Sequence, residues 1–428
     1  MNEFFSPTLD PRRPKEHIDA LPAPGGIRSL YDSVCFCNRC NSCAQSCPTF
    51  RLRQEEFFSP RGRNQILRLV LEGKFKIAPY RRLIEKSMAS CLLCGACAAG
   101  CPGKIPTAEH VLEMQRALGV RPLPVLLHKI LSWRTSSPRL FETTAALCRW
   151  AHNSYGVKLL RACGITRLPF LRWINHADDI LPHKITFLRQ HLKKENPPHN
   201  PGVLYLPSLE AAYLDGSLGL AAYQKLQGHQ PKVLFGVSSG LFEYVYGSLR
   251  RARHAAQKLM MSAGNGSTPV VTDSADVFFF IKNYPRLFSH SKVWERKARR
   301  LAARVRFIAD YLPKKPQIQG INRVQIDKSA LFSFENEAFE KTEKIFRVIF
   351  KKNLLHYGYK DTPTPPFGYS FRKENLSKEV CFCRVKDIAR TQTDAVFFLS
   401  GLSAMELNYW LKKYYPSAKA EHIVRLNG

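Results

Sequence analysis

Two cysteine runs restrict this chain more than any other feature in it. The first is Cys37-x-x-Cys40-x-x-Cys43-x-x-x-Cys47-Pro48, and the second is Cys91-x-x-Cys94-x-x-Cys97-x-x-x-Cys101-Pro102. Eight of the 13 cysteines therefore stand in two intact copies of C-x2-C-x2-C-x3-C-P, a spacing that holds iron–sulfur clusters. A segment built this way folds around its metal as much as around apolar side chains. Cysteines three apart on a tight loop can surround one cube with three sulfurs, while the fourth, turned away before a proline, reaches the other cluster. The spacing predicts two [4Fe–4S] clusters. One is held by Cys37, Cys40, Cys43 and Cys101, the other by Cys91, Cys94, Cys97 and Cys47.

The residues between the cysteines suit this reading. Ser42, Ala44, Gly95, Ala96, Ala98, Ala99 and Gly100 are small, so backbone N–H groups can approach inorganic sulfide and tune its potential. Structural zinc is the plain alternative, because C-x2-C pairs also build tetrahedral sites. Four cysteines within eleven residues, twice over and each ending in Cys-Pro, fit zinc poorly. A disulfide framework fits less well, since no secretion signal precedes the cysteines. Cys35 lies out of register and is a spare thiol, and Cys148 and Cys163 have no partner spacing and are expected to be buried.

The 428 residues allow two or three domains, and an apolar share of 45% allows a proper core. The opening Met1-Asn2-Glu3-Phe4-Phe5-Ser6-Pro7 has neither a basic start nor an apolar stretch. No run approaches the roughly 18 uninterrupted apolar residues of a spanning helix. A cytoplasmic protein is expected, either free or peripheral on the inner membrane face. The formal charge of +31 calls for either a solvated basic surface or an anionic partner: an acidic electron acceptor, an anionic membrane face, or nucleic acid. Nucleic acid is set aside because no recognised binding motif accompanies the charge.

Composition and periodicity divide the chain into five stretches. Residues 1–30 form a proline-rich, charged arm, and 31–115 hold both cysteine runs. There, Arg63 to Glu72 forms an amphipathic helix closed by Gly73, and a second helix covers Pro79 to Ser90. Residues 116–200 form a helical connector broken by prolines. From 201 the texture becomes α/β, with strands at Val203–Leu206, Val233–Phe235 and Val270–Thr272 and helices at Leu241–Met261 and Ser291–Leu312. A second round from 319 to 428 has strands at Val324–Ile326 and Ala395–Leu399, with helices from Glu335 to Lys352 and through Leu411. The predicted class is α+β multidomain: a helical two-cluster ferredoxin module, then two α/β domains of 201–318 and 319–428.

The cysteine runs, with Phe58-Ser59-Pro60-Arg61-Gly62-Arg63 between them, resemble the iron–sulfur subunit of glycolate oxidase. They equally resemble the lactate-utilisation iron–sulfur protein and the heterodisulfide reductase subunit of the same superfamily. The resemblance implies a helical ferredoxin followed by two cysteine-rich domains named for a Cys-Cys-Gly motif. The second half departs from that pattern. Pro207-Ser208 stands where the family has Gly-Cys, Ser238-Ser239-Gly240 where it has Cys-Cys-Gly, and Ser274-Ala275-Asp276-Val277 where it has Cys-x-x-Cys. Ser329, Ser403 and Thr364-Pro365-Pro366-Phe367-Gly368 take the corresponding places in the second copy. Serine is a poor donor to iron that favours soft thiolate, so these domains are degenerate and should bind no cluster. Cys381-Phe382-Cys383, read as part of a strand, lies off the expected ligand positions.

His110 and His128 are expected to be ordinary helix residues, and no nucleotide fingerprint appears. The resemblance thus implies a non-catalytic electron-transfer subunit of an oxidoreductase complex. Its partner would be a flavin-dependent dehydrogenase acting on a 2-hydroxy acid such as glycolate or lactate. Two rivals are a subunit of a heterodisulfide-reductase-like complex and a non-enzymatic protein whose clusters sense redox state or stabilise the fold.

Overall fold

In the computed structural model the described residues are 30–119, 141–144, 163, 186–192, 198–246, 249–312, 322–328, 331, 337–356, 362–366 and 374–426. The cysteine-rich segment is built of helices: α1 (Leu30–Cys35), α2 (Pro48–Arg53), α3 (Pro60–Leu71), α4 (Ile77–Ala89), α5 (Ala96–Ala99) and α6 (Thr107–Ala117). Helix α3 starts earlier than its periodicity predicts. Ser59 caps it by accepting from Gly62 N, and Pro60 supplies a preset φ at the first position. Leu67, Val70 and Leu71 of α3 pack with Ile84 and Met88 of α4 and Val111 and Met114 of α6. Burying each such side chain contributes about 1.5–3 kcal/mol. His110 ties three helices together: its ring nitrogens meet Ser33 Oγ at 2.7 Å and Asn64 Oδ1 at 2.8 Å. Burial pushes its pKa down to about 3, so it is a neutral core residue. His128 and Cys148 lie outside the described residues.

The remainder is α/β. Strands β1 (Val203–Leu206), β2 (Pro231–Val233), β3 (Val270–Thr272) and β4 (Val305–Phe307) form one parallel sheet in the order β2-β1-β3-β4. Strands β5 (Val324–Ile326), β6 (Ala395–Phe398) and β7 (Lys419–His422) form a second, also parallel, in the order β5-β6-β7. Leu354 bridges in parallel to Val324 on the free side of β5. It occupies the place that β2 takes beside β1, so the two sheets share one strand order. Helices α7 (Leu209–Tyr213), α8 (Gly216–Leu226), α9 (Leu241–Tyr246), α10 (Leu249–Ala263), α11 (Ala275–Lys282) and α12 (Lys292–Arg304) belong with the first sheet. Helices α13 (Glu337–Phe350), α14 (Glu374–Arg390) and α15 (Gly401–Tyr414) belong with the second.

Several expectations need correction. The stretch Ser291–Leu312 is not one helix: α12 ends at Arg304, and Val305–Phe307 extends to pair with β3. The expected helix Leu241–Met261 is helical over α9 and α10, with residues 247 and 248 outside the described residues. Cys381 and Cys383 lie on helix α14, not on a strand. Residues two apart on a helix point about 200° apart; Cys381 is buried and Cys383 is half-buried. Cys163 is exposed rather than buried.

The two sheet units meet through backbone and carboxylates. Ala275 N donates to Leu399 O at 2.8 Å. Glu210 accepts from Gly401 N at 3.1 Å, at the start of α15, and Asp276 accepts from Leu331 N at 2.6 Å. A carboxylate at a helix N-terminus is favourable, and Gly401 is needed there because a Cβ would lie 2.6 Å from Glu210 Cγ. No helix among the described residues is long and apolar enough to cross a membrane.

Candidate metal centre

The two cysteine loops have the same backbone. In each, the residues flanking the second cysteine take the left-handed conformation: Arg39 and Asn41 in the first loop, Leu93 and Gly95 in the second, with φ of 58°, 69°, 59° and 72°. Non-glycine residues rarely adopt it, and it recurs at matching positions of the two loops. The hydrogen bonds also repeat. Ala44 N donates to Asn41 O and Cys47 N to Ala44 O, matched by Ala98 N to Gly95 O and Cys101 N to Ala98 O. Leu93 N donates to Cys91 Sγ at 3.4 Å.

Burial sorts the eight thiols into two sets. Cys47, Cys91, Cys94 and Cys97 are buried, whereas Cys37, Cys43 and Cys101 are half-buried and Cys40 is exposed. The thiols also crowd one another across the two sets. Burial pushes the Cys43 thiol up to about 12, with Cys101, Cys37 and Cys47 adding to the shift. Burial likewise raises Cys94 and Cys97, with Cys47 and Cys91 adding to both shifts and Cys43 to that of Cys97. Cys40 is lowered, chiefly by its 3.3 Å contact with Ser42 Oγ. All described cysteines are free. Crowded, buried thiols lose their protons only where positive charge compensates them, and a cluster's iron supplies it. Among the described residues no three Cys, His or carboxylate groups converge on a point suited to a single ion.

Each residue of Ser59-Pro60-Arg61-Gly62-Arg63 has a physical task around these loops. Ser59 caps α3, with its Oγ donating to Glu56 Oε1 at 2.9 Å and accepting from Gly62 N at 2.8 Å. Arg61 pairs with Glu56 at 2.7 Å and donates to Arg39 O at 3.3 Å. Gly62 is required because a Cβ there would meet Glu56 O at 2.1 Å. Arg63, only 2% exposed, donates to Ser87 O at 3.1 Å, Thr49 Oγ1 at 3.0 Å and Ser90 Oγ at 2.8 Å, and its Nη1 lies 3.8 Å from Cys47 Sγ. Sequence reading used this stretch only as a mark of resemblance. A buried arginine beside a cysteine run was the signal it left unused.

The second loop is covered from the other end of the chain. Leu376 and Val380 of α14 pack on Leu92, Cys94 and Ala96, and Arg53 pairs with Glu379 at 3.0 Å. The same helix carries Cys381, whose Sγ lies 3.6 Å from Glu406.

Some of the residues read from the resemblance as standing in place of cysteines lie together. Pro207, Ser208, Ser238 and Ser239 line one small pocket with Phe235 and Phe242. Their hydroxyls are engaged internally. Ser208 Oγ donates to Asp273 at 2.6 Å and accepts from Ala211 N at 3.2 Å. Ser239 Oγ accepts from Leu241 N at 3.3 Å, and Ser238 Oγ from Gly240 N at 3.1 Å. Asp276 accepts from Leu331 N, as described above, while Ser274 stands at the N-cap of α11 without a side-chain capping bond. In the second unit Ser403 Oγ donates to Pro365 O at 3.3 Å and Thr364 Oγ1 to Asp327 at 2.9 Å. Ser329, Phe367 and Gly368 lie outside the described residues.

Comparison with known proteins agrees with the cysteine runs. Residues 33–105 match the family model described as a 4Fe-4S dicluster domain. Lactate utilization protein B 1 of Bacillus mycoides (strain KBAB4) is 27% identical over 188 residues, covering 41% of this chain and 37% of that protein. The glycolate oxidase iron-sulfur subunit of Escherichia coli (strain K12) is 28% identical over 114 residues, covering 26% and 25%. The probable glycolate oxidase iron-sulfur subunit of Bacillus subtilis (strain 168) is 39% identical over 78 residues, covering 18% and 17%. The match thus spans between about a sixth and somewhat over a third of these relatives' length. No solved structure matches the chain.

Proposed function

We propose that this chain, a 4Fe–4S protein similar to the iron–sulfur subunits of glycolate oxidase and to lactate utilization protein B, is the electron-transfer subunit of an oxidoreductase complex. It carries two [4Fe–4S] clusters. Cys37, Cys40, Cys43 and Cys101 hold one, and Cys91, Cys94, Cys97 and Cys47 hold the other. The observation that carries this reading is the sorting of the eight thiols by burial into these two crossed sets. In each set the fourth ligand comes from the other run, as crossed ligation requires. When bound, the clusters supply one-electron storage. The residues here fix the thiolates, aim N–H groups at sulfur and place the Arg63 charge beside Cys47.

A flavin-dependent dehydrogenase subunit, acting on a 2-hydroxy acid such as glycolate or lactate, is the electron donor in this reading. The two sheet units serve as a scaffold in this reading, since Ser208, Ser238, Ser239 and Ser403 spend their hydroxyls within the fold. The test is a reductive titration of anaerobically purified protein. Two reversible one-electron centres, with a flavoprotein co-purifying, support the proposal. Centres that resist reduction, with no electron-donating partner, refute it in favour of a structural role.

A further inference from the structure

The two loops share a backbone but not an environment. Residues 91–97 are buried throughout, beneath Leu376 and Val380 of α14. In the first loop Asn38, Arg39, Cys40 and Ser42 are exposed, and Phe36 beside them is 60% exposed. The sequence of this segment is one-sided in charge: no carboxylate occurs between Asp32 and Glu55, whereas Arg39, Arg51 and Arg53 do, with Arg53 paired to Glu379 of α14. Arg61 reaches the loop through Arg39 O and is itself paired with Glu56. Lys104, exposed just past Cys101-Pro102, adds a further cation to this module.

We propose that the surface of Phe36, Asn38, Arg39 and Cys40, flanked by Arg61, is the port through which single electrons leave the chain, and that it fits an acidic one-electron carrier protein. The inference rests on the cluster reading above. An exposed aromatic within a polar, charged rim is the anatomy of a protein–protein contact, and complementary charge speeds encounter more than it tightens binding. One electron passes per encounter: the carrier is reduced by one, the chain is oxidised by one, the flavoprotein restores that electron, and no proton or bond changes hands. The covered loop is insulated from the carrier, so electrons from it pass through the first.

Two measurements on the full-length, iron-loaded protein test this. A ferrous chelator added to the reduced protein should remove about half of the iron quickly and half slowly. Cys40→Ser should abolish the fast phase and Cys94→Ser the slow one. A single phase, or the opposite assignment, overturns the port. Hexacyanoferrate(III) and hexaamminecobalt(III) then serve as anionic and cationic one-electron probes at low ionic strength. The anion should oxidise the reduced protein faster, and Arg39→Glu with Lys104→Glu should lower the anion-to-cation rate ratio about tenfold, an effect lost in high salt. A ratio that neither the variant nor salt moves overturns the acidic carrier. Arg39-dependent binding to phosphatidylserine vesicles would overturn it in favour of a membrane face. Colourless protein would refute the cluster reading itself, a result distinct from all of these.

Discussion

Arg63 Nη1 lies 3.8 Å from Cys47 Sγ, sixteen residues away in sequence and almost wholly out of solvent. The same guanidinium holds Thr49 behind that cysteine and Ser87 and Ser90 at the end of α4. One side chain thus fixes Cys47, the helix that follows it and the approach to the second loop.

Arg63→Lys keeps the charge but loses the planar fork. Hydrogen bonds from a charged donor contribute about 1.5–3 kcal/mol, so thermal unfolding should show a loss of about 2–4 kcal/mol. The potential of the centre held by Cys47 should fall by tens of millivolts while the other stays put. Equal shifts in both centres would contradict the placement of Arg63.

Gly62→Ala should disrupt the turn into α3, because the added methyl carbon would sit 2.1 Å from the Glu56 carbonyl oxygen. Overpacking of this kind costs about 1–3 kcal/mol. Denaturant unfolding checks it, and a variant as stable as the parent would show that the Glu56 turn can move aside.

Glu210 sits at the joint of the two sheet units with its pKa raised by burial to about 7, the neighbouring Asp273 adding to the shift, and Asp276 is raised by burial to about 6. The folded state therefore holds these protons more tightly than the unfolded chain. Stability from these groups is present below about pH 4 and falls as pH rises toward 7. Glu210→Gln keeps an acceptor for Gly401 N and removes the ionisation. The variant should gain on the parent with rising pH, by about 2–3 kcal/mol between pH 5 and pH 8. Parallel stability–pH curves would contradict it.

Ser208→Ala should leave the iron content untouched, because that hydroxyl serves Asp273 and Ala211 N rather than a metal. Leaving a buried carboxylate short of a donor costs about 1–3 kcal/mol. Iron analysis and unfolding of one preparation check both halves, and a drop in iron would point to a further cluster in this unit.

The metal-binding part was legible because cluster chemistry fixes residue type and spacing together. The strands with continuous apolar runs, Val203–Leu206 and Ala395–Phe398, were legible for the same kind of reason: a strand buried on both faces has to be apolar. Lys419-Ala420-Glu421-His422 was not legible, since it is a strand only because β6 offers it a ladder along its full length. Val305-Arg306-Phe307 was hidden by the arginine-rich helix running into it. Cys381 and Cys383 misled because their alternate spacing suits a strand, whereas packing of Leu376 and Val380 against the second loop holds that stretch as helix. The covering of that loop is a long-range contact, and no local pattern announces it.

The most direct test is iron and acid-labile sulfide per chain, measured on anaerobically prepared parent and Cys94→Ser protein. Two clusters predict about eight irons and eight sulfides in the parent, falling to about four of each in the variant. Four in the parent, zinc in place of iron, or no change on losing Cys94 would contradict the account.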